Sequence, residues 1–240
     1  MNYVITGGEG FIGKKLRAAI EGGGEHHTLS VDVAGSPDLR VDVDDVHPDV
    51  RLADLITQSD GVFHLAGQAD VRFCEVAPGE ALRMLEGAVA IGDLCLRYRK
   101  PMVFASTGFV YGVPRPRSRL TPDAPRRPTT MYGLVKACCE EVLELYERRG
   151  MRLRILRFFN VYGPGQEEAG TYRSTLFLDK AREILKAPDG QVIPVQGQGG
   201  VTRDFVYVMD VVRALREAMF KVSTNVAQPA IGTAVYNVGL

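Results

Sequence analysis

The sequence has no charge of one sign to spare, because 29 lysines and arginines balance 29 aspartates and glutamates over 240 residues. Without a net field or a basic run, nothing draws the chain to a polyanion or an anionic bilayer, so neither nucleic acid nor membrane is expected as a partner. Long apolar runs are also lacking, and a bilayer-spanning helix needs about 20 such residues. The chain runs directly into Asn2-Tyr3-Val4-Ile5-Thr6, a strand-like stretch without the basic and apolar regions of a secretion signal. These absences predict a soluble, cytoplasmic protein. Cysteine is scarce: Cys74, Cys95, Cys138 and Cys139 contain no C-x-x-C pair and have no histidine at metal-ligand spacing. A zinc site and a disulfide framework therefore lack support, no metal is expected, and buried free thiols in a reducing compartment are the reading. Internal repeats and low-complexity tracts are missing too.

What is present is alternation. Short β-branched runs at residues 3–6, 29–33, 62–66, 102–106 and 153–158 are separated by longer helical patterns. Strands alternating with helices imply a parallel sheet covered on both faces. The first helix should open at Gly10 or Phe11, bury Phe11, Ile12, Leu16, Ala19 and Ile20 on one stripe, and end at Gly22-Gly23-Gly24. Residues 79–98 and 131–149 fit long helices. Five prolines between 112 and 128 exclude extended helix or strand there, which predicts a long surface loop near the site. After Phe159 the alternation weakens into a Gly/Glu-rich stretch at 163–170, a helix near 174–185, and short strands near Val192 and Val206. The expected organisation is an α/β, doubly wound parallel sheet over 1–160. Residues 161–240 would form a small substrate-side lobe partly woven onto it.

Thr6-Gly7-Gly8-Glu9-Gly10-Phe11-Ile12-Gly13 lies between the first strand and the first helix. There Gly7, Gly10 and Gly13 permit a tight turn, close approach of backbone to a pyrophosphate and close helix–strand packing. Phe11 and Ile12 open the helix whose free N–H groups and positive dipole end would face the phosphates. The second strand ends at Asp32, placed to accept hydrogen bonds from ribose hydroxyls and to repel a 2′-phosphate, so NAD is favoured over NADP. Asp42 and Val43 would flank the adenine. A structural turn and a solvated acid would give the same letters separately, and their order along the chain favours the cofactor.

Tyr132 and Lys136 stand four apart at the start of a predicted helix, hence on one face. A phenol ordinarily titrates near pH ~10, and a neighbouring ammonium favours its phenolate, which could then exchange a proton with a substrate hydroxyl. The strand ending at Ser106-Thr107 would supply Thr107 to hold the reacting oxygen, with Ser106 in support. A Tyr and a Lys at this spacing are also common as an exposed pair, and the glycine loop is what tips the balance.

With these motifs the chain resembles the extended short-chain dehydrogenase/reductase family, in its NAD-dependent epimerase/dehydratase branch. The likeness also takes in His64-Leu65-Ala66-Gly67, Ser106-Thr107-Gly108-Phe109-Val110-Tyr111-Gly112, the run from Arg157 through Asn160 to Gly165, and Thr202-Arg203-Asp204-Phe205-Val206-Tyr207-Val208. The resemblance implies that Leu65, Ala66 and Gly67 line NAD and that Thr107, Tyr132 and Lys136 are catalytic. It implies further that Asn160 and Arg203 contact the diphosphate of a nucleotide-sugar substrate, a task suited to the forked donors of a guanidinium. An epimerase is implied, one that passes a hydride to bound NAD, forms a keto-sugar and returns the hydride to the other face. Dehydrating relatives carry an Asp-Glu pair where Gly108-Phe109 stand, which argues against elimination. Gln68-Ala69-Asp70-Val71-Arg72 resembles the corresponding stretch of UDP-glucuronate 4-epimerases. Two alternatives stay open: a dehydrogenase or reductase exchanging its cofactor with solution, and an NAD-binding relative without turnover. The second is raised by Leu85, where many members have an asparagine supporting the lysine, and by an end at Leu240 where relatives continue. The resemblance also implies a two-fold homodimer through the helices at 79–98 and 131–149.

Overall fold

The computed structural model describes residues 1–45, 49–113, 119–166, 183–188, 203–224 and 234–239. Strand β1 (Asn2–Thr6) turns Tyr3 and Ile5 to one face and Val4 to the other, all nearly or fully buried, as the period of two in a pleated strand requires. The same alternation recurs in β2 (His27–Asp32), β4 (Gly61–His64), β5 (Met102–Thr107) and β6 (Leu153–Phe158). With β3 (Leu39–Arg40) and β9 (Ala234–Val238) these strands make one seven-stranded sheet in the order β3-β2-β1-β4-β5-β6-β9. Every pairing in it is parallel. The order reverses between β1 and β4, so the loops leaving those strands part and open a crevice at their C-terminal ends.

Helices α2 (Val50–Gln58), α3 (Val71–Val76), α4 (Pro78–Arg97) and α5 (Met131–Arg148) cover one face, with Ile56, Cys74, Met84, Ile91, Val135 and Leu143 packed against Val4, Val62, Phe104 and Ile155. On the other face lie α1 (Phe11–Glu21) and α6 (Val208–Thr224), which bury Leu16, Ile20, Val211, Leu215 and Met219 against Ile5, Phe63 and Leu156. This is the doubly wound, Rossmann-type arrangement that the alternation predicts. None of the helices is long and apolar enough to cross a membrane among the described residues.

The structure also holds elements that the sequence reading did not name. The strands β3 and β9 extend the sheet at both edges, α2 fills the space before β4, and α6 covers β5 and β6. The expected strand near Val206 is β8 (Phe205–Tyr207), which pairs with β7 (Asn160–Tyr162) in a separate two-stranded sheet. The strand expected to run to Ala66 ends at His64, leaving Leu65 and Ala66 on the loop at the crevice. Outside the described residues lie Val192, most of the helix expected at 174–185, and 114–118 of the proline-rich segment. The described remainder of that segment contains neither helix nor strand beyond Tyr111, the last residue of a 3-10 turn at Gly108–Tyr111.

Candidate active site

The loop from Thr6 to Gly13 is closed by short backbone contacts. Gly7 adopts φ +72 and its N–H donates to the Val31 carbonyl at 2.8 Å, while the Gly10 N–H donates to the Gly7 carbonyl at 3.1 Å. A Cβ on Gly7 would stand 2.8 Å from the Ala66 nitrogen, and one on Gly13 would stand 2.2 Å from the Gly7 oxygen. Side chains are therefore excluded at both positions, and the first turn of α1 lies directly on the loop. Gly10 caps α1 without a side chain, and the first turn carries no acid, so its N–H groups and dipole are left to an anionic ligand. Phe11 is buried and Ile12 half-buried at this turn. A backbone cradle closed to side chains, ending in an uncapped helix, fits the pyrophosphate of a dinucleotide.

Asp32 stands at the end of β2, where its carboxylate accepts the Glu9 N–H at 3.0 Å, the Val33 N–H at 2.8 Å and the Ala34 N–H at 3.1 Å. It is thereby fixed to the rim of the same loop. Of the two residues expected at the adenine, Val43 is buried in the core, whereas Asp42 is exposed and ion-paired with Arg83 at 2.7 Å. Leu65 and Ala66 leave β4 with their N–H groups donating to the carbonyl and hydroxyl of Thr6, at 3.0 and 3.4 Å. Gly67 has φ +132, and a Cβ there would lie 3.1 Å from Met84 Sδ and 3.7 Å from Lys136 Nζ. The glycine loop, the β4 exit and Lys136 thus share one corner of the crevice. Beneath it, buried His64 shares a 2.7 Å hydrogen bond with the Thr6 hydroxyl and stacks on Phe104. Burial, reinforced by the Lys136 charge, pushes the imidazole down to about 3, so it is neutral.

The second group of candidates meets on α5. Thr130 caps that helix, its hydroxyl accepting the Gly133 N–H at 3.1 Å, and the Met131 N–H donates to Glu75. Gly133 lets the first turn press onto the 3-10 turn after β5, since a Cβ there would stand 2.5 Å from the Phe109 carbonyl oxygen. This approach sets the ring of Tyr132 edge-on against Phe109, 5.9 Å between centroids, just beyond Thr107. Thr107 is buried, and its hydroxyl oxygen accepts the Phe109 N–H at 3.2 Å, which leaves the hydroxyl proton for another acceptor. Lys136 is buried one helical turn on from Tyr132; its ammonium donates to the Ala105 carbonyl at 3.1 Å and lies 4.8 Å from the centre of the Phe104 ring. Burial lowers its proton affinity, and Cys139, Asp44 and Glu140 oppose that effect in that order.

Ser106 points elsewhere: its hydroxyl donates to Glu140, a fully buried acid on α5. Glu140 also receives Arg157 through Nε at 2.9 Å and Nη2 at 2.6 Å, and Arg126 at 2.9 Å. Arg157 donates onward to the Tyr111 hydroxyl and the Pro122 carbonyl, and Tyr111 donates to Asn237 on β9. Arg157 stands in a motif run that gives no sign of its partner, and Glu140 lies in no motif, so their pairing is visible only in the structure. This network clamps the base of α5, the ends of β5 and β6 and the proline-rich segment together.

Asn160 and Arg203 lie on the small sheet and its approach. The Asn160 side-chain amide donates to the Asp204 carbonyl at 2.8 Å, holding β7 to the segment before β8, and Arg203 is exposed. The structure thus gathers Gly7, Gly13, Leu65, Ala66, Gly67, Thr107, Tyr132 and Lys136 around the crevice, while Asp42 faces Arg83 and Asn160 is engaged with backbone.

Comparison with known proteins bears on this arrangement. The family described as the NAD dependent epimerase/dehydratase family matches over residues 3–239. A UDP-N-acetyl-alpha-D-glucosaminuronate decarboxylase of Bacillus cytotoxicus is 31% identical over 236 residues, covering 90% of this chain and 70% of the relative. UDP-glucuronate 4-epimerase 2 of Arabidopsis thaliana is 26% identical over 91% of this chain, which spans only 54% of that relative's length. Among solved structures, MoeE5 in complex with UDP-glucuronic acid and NAD superposes with a TM-score of 0.78 at 30% identity, over 100% of this chain and 76% of its own.

Proposed function

The chain belongs to the NAD-dependent epimerase/dehydratase family, and from that premise we propose that it is an NAD-dependent nucleotide-sugar epimerase. The observation that supports this reading is the packing of Tyr132 and Lys136 of α5 against Phe109 and the Ala105 carbonyl, on either side of Thr107 in the chain, beside a cradle closed to side chains. Bound NAD would supply reversible hydride transfer to and from the sugar. Gly7, Gly10, Gly13 and the first turn of α1 hold its pyrophosphate, Asp32 its ribose hydroxyls, and Val43, Leu65, Ala66 and Gly67 its remaining surface. Thr107 donates to the reacting sugar oxygen. Tyr132 takes the proton from that hydroxyl as the keto-sugar forms and gives it back on the return. Lys136 favours the phenolate by its charge. Asn160 and Arg203 bind the diphosphate of the substrate.

Residues 1–160 on this reading hold the cofactor, and 161–240 form the substrate side, partly interwoven with the main sheet through α6 and β9. Beside Tyr132 stands the Phe109 ring, without a carboxylate at that position, which supports hydride return over elimination. A cytoplasmic homodimer through α4 and α5 is part of the same proposal, supported by Leu82, Leu134 and Leu145 exposed along those helices.

The test incubates the protein with NAD and UDP-, dTDP-, GDP- and CDP-sugars, resolving products by chromatography with mass detection while absorbance reports NADH. An isomer of unchanged mass without net NADH, abolished by Tyr132→Phe, is the expected result. Accumulating NADH would establish a dehydrogenase instead, and binding without conversion would refute catalysis.

A further inference from the structure

Lys136 is a buried ammonium on which the site depends, and the helix facing it is apolar there. Met84 and Leu85 of α4 pack into the core on that side, and Met84 Sδ closes on Gly67. An ammonium has three N–H donors and is costly to bury without charge compensation. Glu140, the acid one turn along α5, is already bound by Arg157, Arg126 and Ser106.

A different segment packs on α4 one turn from Met84, the residue that closes on Gly67 beside Lys136. Asp44, in the loop after β3, turns its side chain inward against α4, and its Oδ1 is buried without a hydrogen-bond partner among the described residues. The space it occupies exists because residue 87 is glycine: a Cβ there would stand 2.1 Å from Asp44 Oδ1 and 3.0 Å from the Val43 carbonyl oxygen. A mid-helix glycine costs about 0.5–1 kcal/mol relative to alanine, and here it makes room for a carboxylate. We propose that Asp44 is the positioning residue for Lys136, the acid whose inward oxygen stabilises the buried ammonium that Tyr132 depends on. The inference rests on Lys136 being Tyr132's partner, as the proposed function has it.

The charges around the two groups agree. Burial raises the Asp44 carboxyl to about 6; Lys136 from α5 is the strongest opposing influence, Asp42 of the same loop pushes it further up, and the weaker charges of Arg83 and Glu86 on α4 act down and up respectively. Arg83 is already paired with Asp42 and Glu80, and Asp44 makes no direct ion pair with Lys136 among the described residues, so its charge acts on the ammonium through space. Cys139 and Cys74 also face Lys136, as does neutral His64, but among carboxylates Asp44 acts on it more strongly than Glu140.

The test titrates the NAD-loaded full chain, labelled with 13C at lysine Cε, with the Lys136 resonance identified by its loss in Lys136→Arg. Asp44→Asn is expected to lower the Lys136 ionisation midpoint by about one pH unit, tenfold in proton affinity. Gly87→Ala, which evicts the carboxylate without removing its charge, should lower the midpoint in the same direction. Glu86→Gln, an exposed acid beside Gly87, should leave it in place. An unchanged midpoint in Asp44→Asn, or an equal shift in Glu86→Gln, overturns the proposal. Because this readout needs no turnover, a protein that converts no nucleotide sugar yet shows the Lys136 shift would refute the epimerase reading and uphold the Asp44 link.

Discussion

Removing Glu140 should be among the most damaging single changes in this protein, and the structure says how that damage can be undone. The acid is 0% exposed and Arg157 3%, so each has its charge out of water. In Glu140→Ala the Arg157 guanidinium keeps the Tyr111 hydroxyl and Pro122 carbonyl but loses its counter-charge, whereas Arg126 still has Glu144 at 2.9 Å. Unpairing one buried charge costs about 3–5 kcal/mol, a large share of the roughly 5–15 kcal/mol that holds a domain folded. For a chain of this size that is a fall in melting temperature of about 6–20 °C. Replacing both partners, Glu140→Leu with Arg157→Met, removes the orphaned charge, and the double variant should recover to within about 1–2 kcal/mol of the parent. Urea unfolding and calorimetry on the two single variants and the double give the full cycle. A Glu140→Ala loss under about 1 kcal/mol, or a double variant no better than the single, would refute the reasoning that the pair is held by mutual need.

Gly13→Ala should weaken NAD binding at least tenfold by isothermal titration while the chain stays folded, because its Cβ must push α1 off the Gly7 carbonyl, now 2.2 Å from that position; affinity within twofold of the parent would contradict the close-packed cradle. Gly133→Ala should leave NAD binding near normal and cut turnover of the active nucleotide sugar, since its Cβ meets the Phe109 carbonyl at 2.5 Å and displaces Tyr132 from Thr107. Acid stability should reveal two opposed titrations. His64, held at about 3 by burial with Lys136 adding to it, stays unprotonated in the native state while the unfolded chain takes a proton below about 6.5, so its share of stability falls as pH drops through that window. Asp44, raised to about 6 by burial, binds its proton earlier in the native state and works the other way between about 6 and 4, so Asp44→Asn should lose up to about 1.4 kcal/mol more per pH unit than the parent there; equal slopes in denaturant titrations of the two proteins would count against the Asp44 assignment.

The parts legible in the sequence were those whose causes are local. Strands β1, β2, β4, β5 and β6 are short, largely buried runs bounded by helical patterns, and the cradle is a stretch of consecutive residues whose glycines mark its turn and close packing. Tyr132 and Lys136 were legible as neighbours because helical spacing alone puts them on one face. Edge strand β3, with two residues, and β9, with mixed burial, gave no pattern to read. Helix α6 did give one: Val208, Val211, Val212, Leu215, Met219 and Val222 recur at helical spacing, and the weakened alternation around them hid it.

The polar interior was illegible for a different reason. His64 meets Thr6 across 58 residues and Ser106 meets Glu140 across 34, and no spacing rule connects such pairs. The charge state of a buried group is set by these distant partners, so a motif can place Lys136 on the right face and still say nothing of what keeps it protonated. At Leu85 the chain departs from its resemblance, and a reading confined to α4 finds a polar group missing there. The structure brings an acid to the same side of the site from another loop, and the trace of this in the sequence is Gly87, a residue a helix interior disfavours unless something must pass close to its backbone. An unexplained glycine within a helix is thus a pointer to a tertiary partner, even where the identity of that partner is beyond any local pattern.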